Sequence, residues 1–154
     1  FIDQIMSKSK ITITDSKMTR FSISMDEALD FILNSVKEAK GSETFVPKLR
    51  AYNIMDLKDA LIKLFGQANV EITNVRPGEK INEVLITQDE MRYTVENQRN
   101  YIIVRPDMTD DQITRLYPNY KRVKEMVVYS SDKVERIPRQ ELEIMIRNAG
   151  LLNR

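Results

Sequence analysis

The segment 75–80, with the sequence Val-Arg-Pro-Gly-Glu-Lys, constrains the fold of this chain more than any other. The residues before it, 70–74, alternate between apolar and polar side chains, which predicts a half-buried strand that ends before Pro77. Pro77 sets the φ angle needed at the second position of a type II turn, and Gly78 can adopt the positive φ needed at the third. Arg76 and Glu79 are therefore predicted to be the two corners of one turn.

The two corner residues carry chemistry that suits a nucleotide. An arginine can form paired hydrogen bonds with phosphate oxygens, and a carboxylate three residues later can accept hydrogen bonds from two sugar hydroxyls. Proline-glycine turns flanked by charged residues are also ordinary solvent-exposed loops, in which the arginine and the glutamate pair weakly with each other. The turn by itself leaves both interpretations open.

The composition excludes several classes of function. The chain has 154 residues, enough for one domain with a hydrophobic core, and its 24 Lys and Arg residues nearly balance 23 Asp and Glu residues. This balance predicts neither nucleic acid nor an acidic membrane surface as a partner. Because Cys and His are absent, disulfides, thiolate nucleophiles, imidazole catalysis and the usual zinc site are not expected. No apolar run approaches a membrane span, and we expect a cytoplasmic protein without a metal site.

Three segments show the apolar periodicity and the capping residues of longer helices. The first begins with a predicted capping box, in which Ser24 and Glu27 satisfy each other's backbone amides. In the second, either Asn53 or Asp56 is the N-cap. The predicted helices run from Ser24 to Gly41, from Asn53 or Asp56 to Gly66, and from Pro138 to Ala149, which Gly150 follows.

Short strands are predicted around these helices from alternating or continuous apolar residues. Pro47 is expected to stop one of them, which we expect to lack a pairing partner. Residues 81–85 are predicted to form a single helical turn or an irregular link, and 105–124 to be mostly loop with one helical turn. The predicted strands are 11–14, a run through Phe21 and Ile23, 43–46, 70–74, 93–95, 101–104 and 127–129.

Three segments, in order, resemble the C-terminal half of the UDP-N-acetylglucosamine 4,6-dehydratases of the extended short-chain dehydrogenase/reductase superfamily. The segments are Thr14-Asp15 with Met18-Thr19-Arg20-Phe21, then Glu43-Thr44-Phe45-Val46-Pro47-Lys48, and then Arg76-Pro77-Gly78-Glu79-Lys80 with Glu83-Val84. The resemblance implies an α/β fold, the C-terminal substrate-binding portion of an extended Rossmann-type nucleotide-sugar enzyme, with mixed short strands, three main helices and no N-terminal Rossmann half. Residues 1–154 would form a single truncated substrate-binding region. Within it, 11–50 would include an edge strand of the missing Rossmann sheet, and 51–154 would form a C-terminal subdomain.

The resemblance implies that Arg20, Arg76 and Glu79 bind the substrate. Arg76 and Arg20 would contact the diphosphate of a UDP-sugar, and Glu79 would contact the ribose, so the two guanidinium groups should converge within about 10 Å. Phe21 follows Arg20 directly, without the acidic residue that many relatives carry between them, and this departure is typical of the 4,6-dehydratase subgroup. Glu83 is expected to support the turn, and no role beyond a solvated side chain is predicted for Lys48.

The resemblance also implies a cofactor, NADP or alternatively NAD, which the missing half would bind, and a homo-oligomeric full-length enzyme. With glycine only at positions 41, 66, 78 and 150, the chain cannot form the glycine-rich turn that binds the cofactor pyrophosphate. Two Tyr-Lys pairs have the spacing of the catalytic pair: Tyr117 with Lys121, and Tyr120 with Lys124. We reject both, because Pro118 disfavours a helix at Tyr117 and because the superfamily places its pair upstream of Arg20. No catalytic or cofactor-binding residue is therefore predicted, and the chain alone should be inactive.

These features lead to one main functional hypothesis and two alternatives. The main hypothesis is the nucleotide-sugar-binding half of a UDP-N-acetylglucosamine 4,6-dehydratase, with or without inversion at C5, in surface polysaccharide or glycan precursor biosynthesis. The first alternative is a UDP-sugar epimerase or reductase of the same superfamily. The second, from another class, is a non-catalytic interaction module that uses its charged segment 105–124.

Overall fold

The computed structural model describes residues 1–125 and 127–151. Within these ranges the chain forms six helices and ten short strands, in the mixed α/β class that was predicted. The helices are α1 (Ile2–Met6), α2 (Met25–Glu38), α3 (Ile54–Phe65), α4 (Gln88–Met91), α5 (Asp110–Leu116) and α6 (Arg139–Asn148). The strands are β1 (Ile11–Ile13), β2 (Thr19–Phe21), β3 (Thr44–Pro47), β4 (Ala51–Asn53), β5 (Val70–Ile72), β6 (Val84–Ile86), β7 (Thr94–Glu96), β8 (Asn100–Ile103), β9 (Lys121–Arg122) and β10 (Tyr129–Ser130).

The capping residues of the three longer helices explain where these helices begin and end. Ser24 and Glu27 form the predicted capping box of α2, and the Asn53 side chain accepts from the Met55 amide at the start of α3. Asn53 rather than Asp56 is therefore the N-cap. Gly66, with a φ of 114°, ends α3 as predicted. The prediction for Gly41 is wrong, because α2 ends at Glu38 with Ala39 as its C-cap.

The chain divides into two compact units that are each assembled from separate segments of sequence. The first unit consists of Phe1–Ser22, Arg50–Glu83 and the described part of Ser131–Arg154. In it, β1 pairs in parallel with β5, and β2 pairs antiparallel with β4. Helices α3 and α6 pack together over these strands, and the core residues they share with α1 and β1 include Ile11, Ile13, Leu61, Leu142 and Ile146.

The second unit consists of Ile23–Leu49 and the described part of Val84–Ser130. Its main sheet is antiparallel, with the strand order β3-β8-β7-β9, and β10 pairs antiparallel with β6. The strands predicted at 93–95 and 101–104 are present as β7 and β8, which pair antiparallel as a hairpin. Val95, Ile102, Ile113, Tyr117 and Tyr120 form its core. The segment 105–124 therefore contributes buried residues to this unit and is not only a charged loop.

Two strand predictions are wrong. Strand β3 does have a pairing partner, because each residue from Thr44 to Pro47 lies opposite a residue of β8. Residues 84–86 form strand β6 where a helical turn or an irregular link was expected, and only 81–83 are irregular. In both cases the partner strand is distant in sequence, so local periodicity could not identify it.

Candidate functional site

The turn that follows β5 has the predicted geometry. The amide of Glu79 donates to the carbonyl of Arg76 at 3.0 Å, which closes the four-residue turn. Gly78 has a φ of 83°, the positive value that the third position of a type II turn requires. An added Cβ at Gly78 would meet no atom within 4 Å, so backbone conformation rather than lack of space selects glycine here.

The carboxylate of Glu79 is hydrogen-bonded at both oxygens. Its Oε2 accepts from the Arg76 amide at 3.2 Å, and its Oε1 accepts from the hydroxyl of Thr14 at 2.9 Å. The residue is half-buried. Because each carboxylate oxygen has more than one lone pair, Glu79 can still accept hydrogen bonds from a ligand.

Arg20 braces the segment that follows the turn. Its Nη1 donates to the carbonyls of Thr19 at 2.7 Å and Ile81 at 3.0 Å, and its Nη2 donates to the carbonyl of Lys80 at 2.9 Å. Its Nε lies 3.7 Å from Glu83 Oε1, and the other oxygen of Glu83 accepts from the amide of Phe21 at 3.1 Å. Arg20 and Glu83 therefore both connect β2 to the 80–83 segment, and the role of structural support predicted for Glu83 is confirmed.

A buried chain of hydroxyl groups joins the same segment to β2. Thr19 Oγ1 donates to Asn82 Oδ1 at 2.9 Å, and it lies 2.6 Å from Ser131 Oγ, which accepts from the Glu83 amide at 2.9 Å. The side chains of Thr19 and Ser131 are completely buried. The sequence gives no sign of this network, because Ser131 and Thr19 are 112 positions apart and no local signal joins them.

Two cationic side chains at the turn, Arg76 and Lys80, form no ion pair within the described residues. Within the part of the chain that the structure describes, the guanidinium of the exposed Arg76 has no hydrogen-bond or ion-pair partner. Lys80, on the other side of Glu79, is also exposed and without an ion pair among the described residues. An exposed arginine with all its donors available suits an anionic ligand.

The structure therefore brings the three predicted residues to one loop, but they differ in whether their side chains are already hydrogen-bonded. Arg76 and Glu79 are corners of the same turn, and Arg20 contacts the next residues, Lys80 and Ile81. Arg76 is free to bind, whereas the donors of Arg20 are occupied by backbone carbonyls. The convergence of the two guanidinium groups on one anion stays a prediction.

The two rejected Tyr-Lys pairs do not lie on helices. Tyr117 is the C-cap of α5, and Lys121 lies in strand β9. Burial, followed by the charge of Glu43, raises the pKa of Tyr117 to about 12. Burial and a hydrogen bond to Glu38 also raise the pKa of Tyr120 to about 12. A catalytic tyrosine of this kind needs its pKa lowered toward neutral, whereas burial acts in the opposite direction at both of these residues.

The described residues do not fit a dinucleotide cofactor or a metal. A dinucleotide needs several glycines within one strand-to-helix turn, and no two glycines of this chain lie closer than Gly66 and Gly78. Across 1–125 and 127–151, no group of three or more His, Cys, Asp or Glu residues could hold a metal ion. None of the described helices has the length and apolar character needed to cross a bilayer.

Comparisons with known proteins agree on one family. The family model described as "Polysaccharide biosynthesis protein" matches residues 1–105. A UDP-N-acetylglucosamine 4,6-dehydratase (inverting) from Campylobacter jejuni subsp. jejuni serotype O:2 is 32% identical over 140 residues, which cover 86% of this chain and 41% of the relative. A UDP-glucose 4-epimerase from Rickettsia felis is 29% identical over 150 residues, 96% of this chain and 44% of the relative.

A solved structure extends the comparison to the fold. The X-ray structure of Pen from Bacillus thuringiensis superposes with a TM-score of 0.83 and 33% identity, and the match covers 97% of this chain and 44% of that protein. The predicted fold, that of a C-terminal portion of an extended short-chain dehydrogenase/reductase, is thereby confirmed. The chain spans less than half the length of each of these relatives.

Proposed function

Because the chain belongs to the polysaccharide biosynthesis protein family, we propose that it is the nucleotide-sugar-binding region of a UDP-N-acetylglucosamine 4,6-dehydratase. In this proposal residues 1–154 form one substrate-binding region of a longer cytoplasmic enzyme that is a homo-oligomer. That parent enzyme is a lyase of surface polysaccharide or glycan precursor biosynthesis. Its cofactor is NADP, or alternatively NAD, and residues outside this chain hold it.

One observation carries the proposal: the exposed Arg76 and the ordered carboxylate of Glu79 lie in the same turn. Hydrogen bonds from Thr14 to Glu79 and from Arg20 to the carbonyl of Lys80 hold this turn in place. We assign Arg76 to the diphosphate, because its guanidinium has all its donors available for phosphate oxygens. We assign Glu79 to the ribose hydroxyls, because both of its oxygens are held in place and retain acceptor capacity.

Arg20 is the second diphosphate contact in this proposal. Its donors are engaged with the carbonyls of Thr19, Lys80 and Ile81, so it would exchange at least one of these bonds for a phosphate oxygen. Bonds from guanidinium to an ionised oxygen are stronger than those to a neutral carbonyl, which makes the exchange favourable. Even without the exchange, its positive charge lies next to the loop that carries Arg76.

This region would contribute to catalysis through binding alone. Interactions with the nucleotide, remote from the reacting hexose, hold the sugar in the orientation that the rest of the enzyme requires. A region with no catalytic residue can therefore still lower the barrier of the reaction.

A second candidate is a UDP-sugar epimerase, because the Rickettsia felis relative, named a UDP-glucose 4-epimerase, matches 96% of this chain. Both candidates require UDP binding, so the turn does not distinguish them. The two candidates are distinguished by incubating the parent enzyme with UDP-N-acetylglucosamine and analysing the product by NMR. A 4-keto-6-deoxy sugar indicates the dehydratase, and a sugar changed only in the configuration at C4 indicates the epimerase.

The substitution Arg76→Ala in the parent enzyme tests the site. We expect UDP binding, measured by titration calorimetry, to weaken by about 1.5 to 3 kcal/mol, the usual size of a hydrogen bond to a charged group. The amount of NADP that co-purifies should be unchanged. Arg99→Ala is the matched control, because Arg99 is also exposed, lies in the turn between β7 and β8, and has no ion pair among the described residues.

The control variant should bind UDP as tightly as the wild type. If Arg76→Ala alters cofactor content and leaves UDP affinity unchanged, the assignment of the turn to the nucleotide is wrong.

A further inference from the structure

A hydroxyl group from another strand holds the carboxylate of Glu79. Thr14 Oγ1 donates to Glu79 Oε1 at 2.9 Å in a partly buried hydrogen bond between residues that are 65 positions apart. The other oxygen, Oε2, accepts from the Arg76 amide within the turn at 3.2 Å. The carboxylate is thus restrained at both oxygens, once by its own turn and once by the tertiary structure.

The parallel pairing of β1 with β5 explains why Thr14 reaches the turn. Ile13 lies opposite Ile72, and the amide of Thr73 donates to the carbonyl of Ile13 at 2.8 Å. The carboxyl ends of two parallel strands lie at the same edge of a sheet, so the residues that follow them are neighbours in space. Thr14 is the first residue after β1, and the turn is the first structure after β5.

The Thr14 hydroxyl has two possible acceptors but only one proton to donate. Met18 Sδ lies at 3.3 Å and Glu79 Oε1 at 2.9 Å. A thioether sulfur is a weak acceptor, whereas a hydrogen bond to an ionised carboxylate is charge-assisted. The hydroxyl proton is therefore directed at Glu79.

This arrangement matters for a ligand that offers two neighbouring hydroxyl groups. To accept from both hydroxyls of a ribose, a carboxylate must present its two oxygens in one defined plane. A free glutamate side chain has several rotatable bonds, and ordering it on binding reduces affinity. A carboxylate that is already ordered avoids this loss.

We propose that Thr14 is a positioning residue for the recognition of the ribose diol by Glu79, an inference that rests on the proposed function of the turn. Thr14 does not itself contact the ligand. It holds Oε1 of Glu79 so that the remaining lone pairs of the carboxylate face the two sugar hydroxyls.

The test compares UDP with 2′,3′-dideoxy-UDP, which lacks the diol, as ligands of the parent enzyme in titration calorimetry. Thr14→Val removes the hydroxyl and keeps the shape, Thr14→Ser keeps the hydroxyl, and Thr12→Val is the matched control. Thr12 lies in strand β1, which Thr14 follows, and its hydroxyl accepts from Gln4 at 3.0 Å, away from the turn.

We expect Thr14→Val to weaken UDP binding about three- to tenfold and to leave the binding of dideoxy-UDP unchanged. Thr14→Ser and Thr12→Val should behave like the wild type with both ligands.

The possible results separate this inference from the proposal on which it rests. If the wild type does not bind UDP, the proposed function fails, and this inference fails with it. If the wild type binds UDP but Thr14→Val weakens both ligands equally, or weakens neither, Thr14 has only a structural role or none, and the inference alone is wrong. If Thr14→Val does not fold, as judged by circular dichroism, Thr14→Ala undergoes the same comparison, with the same expected and contrary results.

Discussion

The role that the family resemblance implies for Arg20 differs from the contacts that Arg20 makes in the structure. The resemblance implies a diphosphate contact, and the structure shows a guanidinium bonded to three backbone carbonyls, two of them 60 and 61 positions away. Arginine suits this bracing role because its planar fork can bond several acceptors at once, which a lysine ammonium does less well. The observed bonds indicate that the position of the 80–83 segment depends on Arg20, and the diphosphate contact stays a prediction.

The first prediction, at the scale of single residues, is that removing the Ser131 hydroxyl loosens the segment 81–84. Its buried hydroxyl accepts from the amide of Glu83 and is hydrogen-bonded to Thr19. Ser131→Ala would leave that amide without its acceptor, and an unsatisfied buried donor costs about 1 to 3 kcal/mol. We therefore expect hydrogen exchange in the segment 81–84 to become about 5 to 150 times faster, as measured by mass spectrometry.

The control for this prediction is Ser7→Ala. The Ser7 hydroxyl donates to the backbone carbonyl of Asp3, but it is exposed to water, which can replace the bond. Exchange in 81–84 should be unaffected by this change. Equal exchange in the Ser131→Ala variant and the wild type would show that the buried hydroxyl chain does not hold the loop.

At the scale of elements, α2 has an apolar face that nothing in the described structure buries. None of its residues is buried, and five large apolar side chains are at least half exposed. These side chains are Met25, Leu29, Ile32, Leu33 and Val36. Contiguous apolar surface of this kind favours association, whereas single exposed apolar residues do not.

We therefore expect the 154-residue chain alone to self-associate as its concentration rises, as measured by sedimentation velocity. The pair Ile32→Glu and Val36→Lys should reduce the association, because it places charge on the apolar face and has the favourable order for an i,i+4 ion pair. Ile144→Lys is the control, since Ile144 is 57% exposed but stands alone on α6. A monomeric wild-type chain with a single sharp melting transition would contradict this prediction.

At the scale of the whole molecule, the tyrosines of the second unit predict that its stability depends on pH in the alkaline range. Burial raises the pKa of Tyr101 and Tyr129 above the usual 10, and that of Tyr117 and Tyr120 to about 12. In the unfolded chain these phenols ionise near pH 10, so between pH 10 and 12 the unfolded state has fewer bound protons than the folded state. Stability is therefore complete below pH 10 and falls as the pH rises toward 12.

We expect tyrosinate absorbance at 295 nm to rise together with the loss of the circular dichroism signal in this pH range. The double variant Tyr117→Phe and Tyr120→Phe should lose less stability between pH 10 and 12, relative to its own value at neutral pH, because two ionisable phenols are removed. Tyr93→Phe, which changes a tyrosine that is 37% exposed, serves as the control. Complete tyrosine ionisation without any loss of structure would contradict this prediction.

Features that depend on neighbouring residues could be read from the sequence. The type II turn follows from Pro77 and Gly78, and the start of α2 follows from Ser24 and Glu27, because each involves residues no more than three positions apart. The helix 54–65 follows from apolar periodicity in the same way, whereas the strand before the turn forms as predicted but is exposed at Val70–Ile72 and is not half-buried. The identity of two candidate site residues, Arg76 and Glu79, came from this local information together with the family resemblance.

The tertiary structure alone decided which distant groups meet at the turn. Thr14 reaches Glu79 across 65 positions, and Ser131 reaches Thr19 across 112. The pairing of β1 with β5, and the assembly of each unit from separate segments, produce these contacts. Such pairings are selected by packing and by the satisfaction of buried polar groups over the whole chain, which no short window of sequence encodes. Local sequence therefore specifies the turn and its two corner residues, whereas long-range packing specifies which groups hold them in place.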